Sequence, residues 1–177
     1  MRKLLAASFT ILATTLLYAA DAENTKVEVK GPHICCPQCA KVVGAILKKV
    51  DGVSDVKADR QTKIVTFTAK DDKAAAAGYS ALIEGGFYGS ATANGKKLQI
   101  TLPVLKNGAK ADVVTVKDVH VCCGACQKAI NKLFSDSKVS YTGKGPQKTV
   151  RIEGTDLNRR EVMEALHKTG FNGTPEN

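Results

Sequence analysis

The sequence predicts an α+β protein: two tandem copies of one small β-α-β-β-α-β sandwich, with an extra strand between them. Three observations carry this expectation. Val27 to Cys39 reads V-E-V-K-G-P-H-I-C-C-P-Q-C, and Val114 to Cys126 reads V-T-V-K-D-V-H-V-C-C-G-A-C, so both Val pairs, the Lys, the His and all three Cys recur at an offset of 87. Behind each window runs an apolar stripe one helix face wide, Val42, Val43, Ile46 and Leu47 in the first copy and Ala129, Ile130, Leu133 and Phe134 in the second. Late in each copy, Gly86-Phe87-Tyr88-Gly89 is echoed by Gly170-Phe171-Asn172-Gly173 at an offset of 84.

The elements follow in order. Met1-Arg2-Lys3 is a basic head, Leu4 to Ala20 is almost free of charge, and Ala20-Asp21-Ala22 offers small residues at the exit, so residues 1–22 are expected to be a cleaved signal peptide. Ser and Thr interrupt that stretch, which argues against a spanning anchor, and no later segment resembles a membrane helix. In the first domain, 26–102, Lys26 to Lys30 alternate as a strand, and a helix is expected from Gln38 to Val50, stopping at Asp51-Gly52. Strands are expected over Val53 to Ala58 and Lys63 to Ala69, with a polar turn between them. Asp71-Asp72 opens an Ala-rich helix that ends at Gly85-Gly86, and Phe87 to Ala93 is the fourth strand. Asn94-Gly95 is a strong hairpin signal, so Lys96 to Leu102 is expected to fold back on that strand as a fifth. The competing route is a hairpin at Asn107-Gly108, which would place Leu98 to Val104 beside the second copy's first strand. Residues 103–112 read as a linker.

The second domain, 113–177, is expected to place strands at Val113 to Val119, Val139 to Thr142 and Thr149 to Glu153. Its helices are expected over Ala125 to Phe134 and Asn158 to Lys168, the latter capped by Thr155 or Asp156. The chain reaches Asn177 soon after Phe171, so the last strand must be short. Each unit is then a ferredoxin-like sandwich with both helices on one sheet face.

All six Cys lie in two windows, Cys35, Cys36 and Cys39, and Cys122, Cys123 and Cys126, with His33 and His120 just ahead of them. Cysteines used as small core hydrophobes would be scattered along the chain. These sit instead where a strand hands over to a helix, where outward amides and the positive helix end favour a thiolate. Two sulfurs spaced Cys-x-x-Cys across such a loop can converge on one ion. Two or three thiolates suit copper(I), mercury(II) or cadmium(II), and three thiolates with one imidazole make a tetrahedral zinc set. Disulfides or thiol redox exchange are the alternative, since an exported chain meets an oxidising compartment, but three Cys per window leave one unpaired. His33 and His120 could be ligands or exposed strand-end residues. His167, at the copy position of Ile83, reads as a half-buried helix residue with no ligand role.

The element order, the Cys-x-x-Cys after the first strand, Asp51-Gly52-Val53 and the Gly-Phe-x-Gly turn resemble the heavy-metal-associated domain family. That family is known from small copper chaperones, the N-terminal arms of metal-pumping ATPases and mercury-binding periplasmic proteins. The resemblance implies metal-binding thiols at Cys36 and Cys39 and at Cys123 and Cys126. It also implies copper(I) as the favoured cargo and a metal-transporting membrane protein as a partner. The sequence departs from the family before the first thiol: His33-Ile34-Cys35 and His120-Val121-Cys122 replace a Gly-Met-Thr-like triplet, adding one thiol and one imidazole per copy.

The chain of 177 residues carries a formal net charge of +9, but its Lys and Arg are dispersed and aromatics make up only 5%, which argues against nucleic-acid binding. The favoured function is a non-enzymatic exported protein that sequesters or relays a soft metal. A thiol-disulfide exchanger using Cys36 and Cys39 is its rival, and a sensor presenting the repeat to a membrane pump is a third class. One ion is expected per copy.

Overall fold

The computed structural model describes residues 24–102 and 110–176. The expected signal peptide, and the Asn107-Gly108 turn within the expected linker, lie outside those residues. Among the described residues, no helix is long and apolar enough to cross a membrane.

In the first unit, β1 (Thr25–Lys30) turns Val27 and Val29 into the core and Lys26 and Lys30 to solvent, as a half-buried strand should. Helix α1 (Pro37–Leu47) begins with Pro37 in the first turn, where the missing N–H costs nothing. It buries Cys39, Val43 and Leu47, one residue per turn along one face. It ends earlier than Val50, because Gly52 takes φ +76° and turns the chain into β2 (Val53–Asp59). The polar turn to β3 (Ile64–Ala69) is held by Asp59, whose Oδ1 accepts from the Gln61 N–H at 2.7 Å. Asp71 caps α2 (Asp72–Glu84), accepting from the Ala74 N–H at 2.7 Å, and Tyr79 and Leu82 face inward from that helix. Burial of Leu47, Phe67 and Leu82 between sheet and helices contributes about 1.5–3 kcal/mol each.

Strands β4 (Ser90–Ala93) and β5 (Lys96–Leu98) pair antiparallel, Ala93 opposite Lys96 and Ala91 opposite Leu98. Asn94 and Gly95, at φ 47° and 78°, form the tight turn between them, and Asn94 Oδ1 accepts from the Lys26 N–H at 2.8 Å. The surplus segment thus extends the first sheet to β2-β3-β1-β4-β5, although its strand stops at Leu98.

The second unit repeats the plan with β6 (Ala111–His120), α3 (Gly124–Leu133), β7 (Lys138–Thr142), β8 (Gln147–Leu157), α4 (Arg159–Lys168) and β9 (Thr174–Pro175), in the sheet order β7-β8-β6-β9. Strand β6 begins at Ala111 and not Val113, since Ala111 pairs with Leu157 at the far end of a β8 longer than expected. That longer strand absorbs Thr155 and Asp156, so the cap of α4 is Asn158, whose Oδ1 accepts from the Arg160 N–H at 2.9 Å. Both units are α+β sandwiches of the ferredoxin-like type. As expected, the last strand is short.

The units dock through their repeated Gly-Phe-x-Gly turns. Phe87 and Phe171 form an antiparallel bridge, and both rings are buried, at 1% and 0% exposure. The Tyr88 N–H donates to the Gly170 carbonyl and the Asn172 N–H to the Gly86 carbonyl, each at 2.9 Å. Phe87 therefore does not open the fourth strand as expected; its N–H closes the end of α2 on the Leu82 carbonyl, its neighbours Gly86 and Tyr88 bond the other unit, and β4 begins at Ser90. Gly86 and Gly170 take φ +87° and +84°, and a Cβ at Gly86 would lie 2.5 Å from the His120 backbone nitrogen. Neither position has room for a side chain.

Candidate metal centre

Each metal loop is pegged on both sides. Ile34 and Val121 are buried in the core. Lys63 Nζ donates to the Ile34 carbonyl at 2.5 Å, and the Val121 N–H donates to the Pro146 carbonyl at 2.7 Å. The next two residues then swing out to begin the helix. Cys36 and Cys123 are the N-cap residues of α1 and α3, in extended backbone (φ −143° and −155°), and neither side chain caps its helix. Cys39 and Cys126 lie in the first helical turn and are buried. All six thiols are free.

Docking brings the two loops face to face, and the six sulfurs make one cluster. Within the first loop, Cys36 and Cys39 Sγ are 3.5 Å apart and Cys35 and Cys39 Sγ 3.7 Å. Within the second, Cys123–Cys126 and Cys122–Cys126 are both 3.9 Å. Across the interface the approaches are as short or shorter: Cys35–Cys126, Cys36–Cys122 and Cys39–Cys122 are each 3.4 Å, and Cys35–Cys123 is 3.7 Å.

His33 and His120 complete the arrangement, each seated on the other unit's phenylalanine. The His33 ring stacks on Phe171 with centroids 4.1 Å apart, and the His33 backbone N–H donates to the Gly170 carbonyl at 3.0 Å. The His120 ring stacks on Phe87 at 4.4 Å and is fully buried, so it is not an exposed strand-end residue. Nε2 of His33 and both ring nitrogens of His120 are buried without a hydrogen-bond partner. A ring nitrogen of His33 lies within 4.8 Å of the Cys35 and Cys126 sulfurs. Buried orphan nitrogens beside thiols are costly unless something occupies their lone pairs. His167 differs. It is half-buried, its Nε2 meets Asn172 Oδ1 at 2.7 Å and its ring stacks on Tyr88 at 3.9 Å, away from the sulfurs.

The sulfurs divide the protons among themselves. The neighbouring Cys126 thiol, with His120 and the amides of Cys35 and Cys36, holds Cys39 well below the ordinary thiol range despite its burial. Cys126 is raised correspondingly, by the neighbouring Cys39 and by its own burial. Burial pushes Cys35 up to about 12 and raises Cys122 further. Burial also opposes ionisation of Cys123, yet the amides of Cys126 and Ala125 at the helix start bring it down to about 7. Burial lowers His33 and leaves its ring neutral, the form that can ligate a metal.

A soft ion held about 2.3 Å from each of three sulfurs requires sulfur separations of about 3.8–4.0 Å. Separations of 3.4–3.9 Å are within a small relaxation of that requirement. Cys36, Cys39 and Cys122 form one thiol triad close to it, with separations of 3.4–3.5 Å. The six thiols and His33 thus converge on one place, and His120 is buried beneath the same interface. The residues that bring them there, Phe87, Phe171, Gly86 and Gly170, were legible only as a repeated turn.

Ferredoxin-like units carrying clustered thiols at strand-to-helix loops form a candidate site for a soft heavy-metal ion. A family model described as "Heavy-metal-associated domain" matches residues 32–84, within the first unit. Among solved structures, the chain is similar to the N-terminal soluble domains of Bacillus subtilis CopA, at 15% identity and a TM-score of 0.29, covering 88% of this chain and 95% of that one. It is also similar to aspartate kinase from Clostridium acetobutylicum, at 9% identity and a TM-score of 0.26, covering 82% of this chain and 31% of that one. No curated protein matches.

Proposed function

We propose that this is an exported, non-enzymatic protein that takes up a soft heavy-metal ion, copper(I) above all, and holds it or passes it to a metal-transporting membrane protein. The observation that carries the reading is the convergence of six free thiols, drawn from two strand-to-helix loops, into one cluster with separations of 3.4–3.9 Å. Thiolates select soft ions, and a site of sulfur with at most two imidazoles excludes the hard cations that need oxygen ligands. Copper(I) is favoured because it accepts two or three sulfurs. Zinc(II), cadmium(II) and mercury(II) are the competitors for the same set. Export rests on the basic head and apolar stretch at residues 1–22. Delivery to a transporter rests on the family model that matches residues 32–84.

The test is a titration of the reduced chain with copper(I) against a chromophoric copper(I) chelator. Retention of copper in the presence of the chelator supports the reading, and an unmetallated chain overturns it. An insulin-reduction assay on the same preparation addresses redox exchange; turnover at the rate of a dithiol oxidoreductase would contradict a binding role.

A further inference from the structure

The extra cysteine of each loop sits closer to the other unit's Cys-x-x-Cys pair than to most of its own. Cys122 is 3.4 Å from both Cys36 and Cys39, which are themselves 3.5 Å apart, a closed triangle with one corner from the second unit. Its counterpart runs the other way. Cys35 is 3.4 Å from Cys126 and 3.7 Å from Cys123, which are 3.9 Å apart. The histidines follow the same exchange: His33 reaches the Cys35–Cys126 pair across the interface, and His120 holds the equivalent position of the repeat, two residues ahead of Cys122. Each imidazole is placed by the opposing unit's phenylalanine, at 4.1 and 4.4 Å, and each keeps an orphan nitrogen buried at the sulfurs.

We propose that the two units do not bind metal independently: each Cys-x-x-Cys pair is completed in trans, Cys36 and Cys39 by Cys122 and His120, and Cys123 and Cys126 by Cys35 and His33. The inference rests on the heavy-metal reading of this site and specifies how that site is built. It accounts for three features together. The added Cys and His occur as a pair because both belong to the neighbour's ion. The imidazole nitrogens have no protein partner because the ion is their partner. The Gly-Phe-x-Gly turns are repeated because docking them forms both composite sites at once. Three thiolates with one imidazole also form a closed tetrahedral set, so a bound ion is screened from water and bridges the two units. Metal binding therefore fastens the domain interface, and opening that interface exposes the ion to a receiver with two thiols left behind.

The experiment uses the full reduced chain and cadmium(II), whose thiolate charge-transfer absorption scales with the number of sulfur ligands. Binding by the unsubstituted chain is the first arm, and its absence overturns the heavy-metal reading itself. In a Cys36→Ser/Cys39→Ser background only the pair Cys123 and Cys126 remains. There, adding Cys35→Ala is expected to weaken cadmium at least tenfold and remove about a third of the charge-transfer band, while adding Cys122→Ala changes neither. The mirror background, Cys123→Ser/Cys126→Ser, must reverse the roles, with Cys122→Ala damaging and Cys35→Ala silent. A loss of folding cannot follow that exchange of roles, so the reversal separates ligation from structural damage. If the same-unit cysteine is the one that matters, or neither matters, or both matter equally, completion in trans is wrong even though metal binds.

Discussion

The Cys35 sulfur lies 3.4 Å from that of Cys126 in the other unit and 3.7 Å from that of Cys39 in its own loop. The crossing is possible because Phe87 and Phe171 bridge the units directly beneath the two loops. Each buried ring also supports the imidazole that precedes the opposing thiols. Packing between the units and chemistry at the sulfurs are therefore one structural problem. A change at either should be felt at the other.

Metals with different coordination demands should respond differently to losing the third sulfur. Zinc(II) requires four ligands, whereas copper(I) is content with two thiolates. Cys35→Ala is expected to lower zinc(II) affinity at least tenfold, about 1.4 kcal/mol, and copper(I) affinity by less. Competition titrations with each metal check this, and an equal loss for both would make all three sulfurs primary ligands of copper(I) as well.

Thiol reactivity should separate Cys123 from Cys35. The thiolate is the nucleophile, and it forms as pH rises past the thiol's pKa. With Cys123 brought down to about 7 and Cys35 pushed up to about 12, alkylation of the metal-free chain should rise at Cys123 between pH 6 and 8, while Cys35 stays slow throughout. Peptide mass spectrometry after a timed pulse of iodoacetamide reads both sites. Faster labelling of Cys35 than Cys123 near neutral pH would contradict the electrostatics described.

Gly86→Ala should loosen the docked pair. The substitution places a Cβ at φ +87°, where Ala is strained, and within 2.5 Å of the His120 backbone nitrogen. Strain and displacement together are expected to cost about 2–4 kcal/mol. Urea unfolding of the metal-free protein measures it. A change below about 0.5 kcal/mol would mean that the Gly86 contact is not tight.

Asn158→Ala tests the helix cap that replaced the expected one. Its Oδ1 serves the N–H groups of Arg160 and Glu161 at 2.9 and 3.4 Å, so removal should cost about 1 kcal/mol. Asp156→Ala should cost little by comparison, since that residue lies in β8 and pairs only with exposed Lys110. Thermal unfolding of the two variants ranks them.

Much of this was legible in the sequence because the repeat compares the chain with itself. The recurrence of His, Cys, Cys and Cys at one offset identified all eight candidate ligands, and the strand and helix periods placed them at a strand-to-helix loop. The Asn94-Gly95 turn also specified the fifth strand, because a two-residue loop with φ above zero at both positions leaves the following segment little choice. What could not be read was the meeting of the two loops. Periodicity reports which face of an element is buried within its own unit, and carries no signal for docking between units. Phe87 read as the start of the fourth strand, yet it forms a bridge with Phe171 of the other unit, and His120 read as a candidate for exposure, yet it is sealed beneath the interface.

The most direct test of the account is native mass spectrometry of the reduced full chain with copper(I), paired with X-ray absorption at the copper edge. The account predicts that at least two copper ions are retained per chain, with sulfur dominating the first coordination sphere. A chain that retains no copper, or one in which copper is ligated mainly by oxygen or nitrogen, would contradict it.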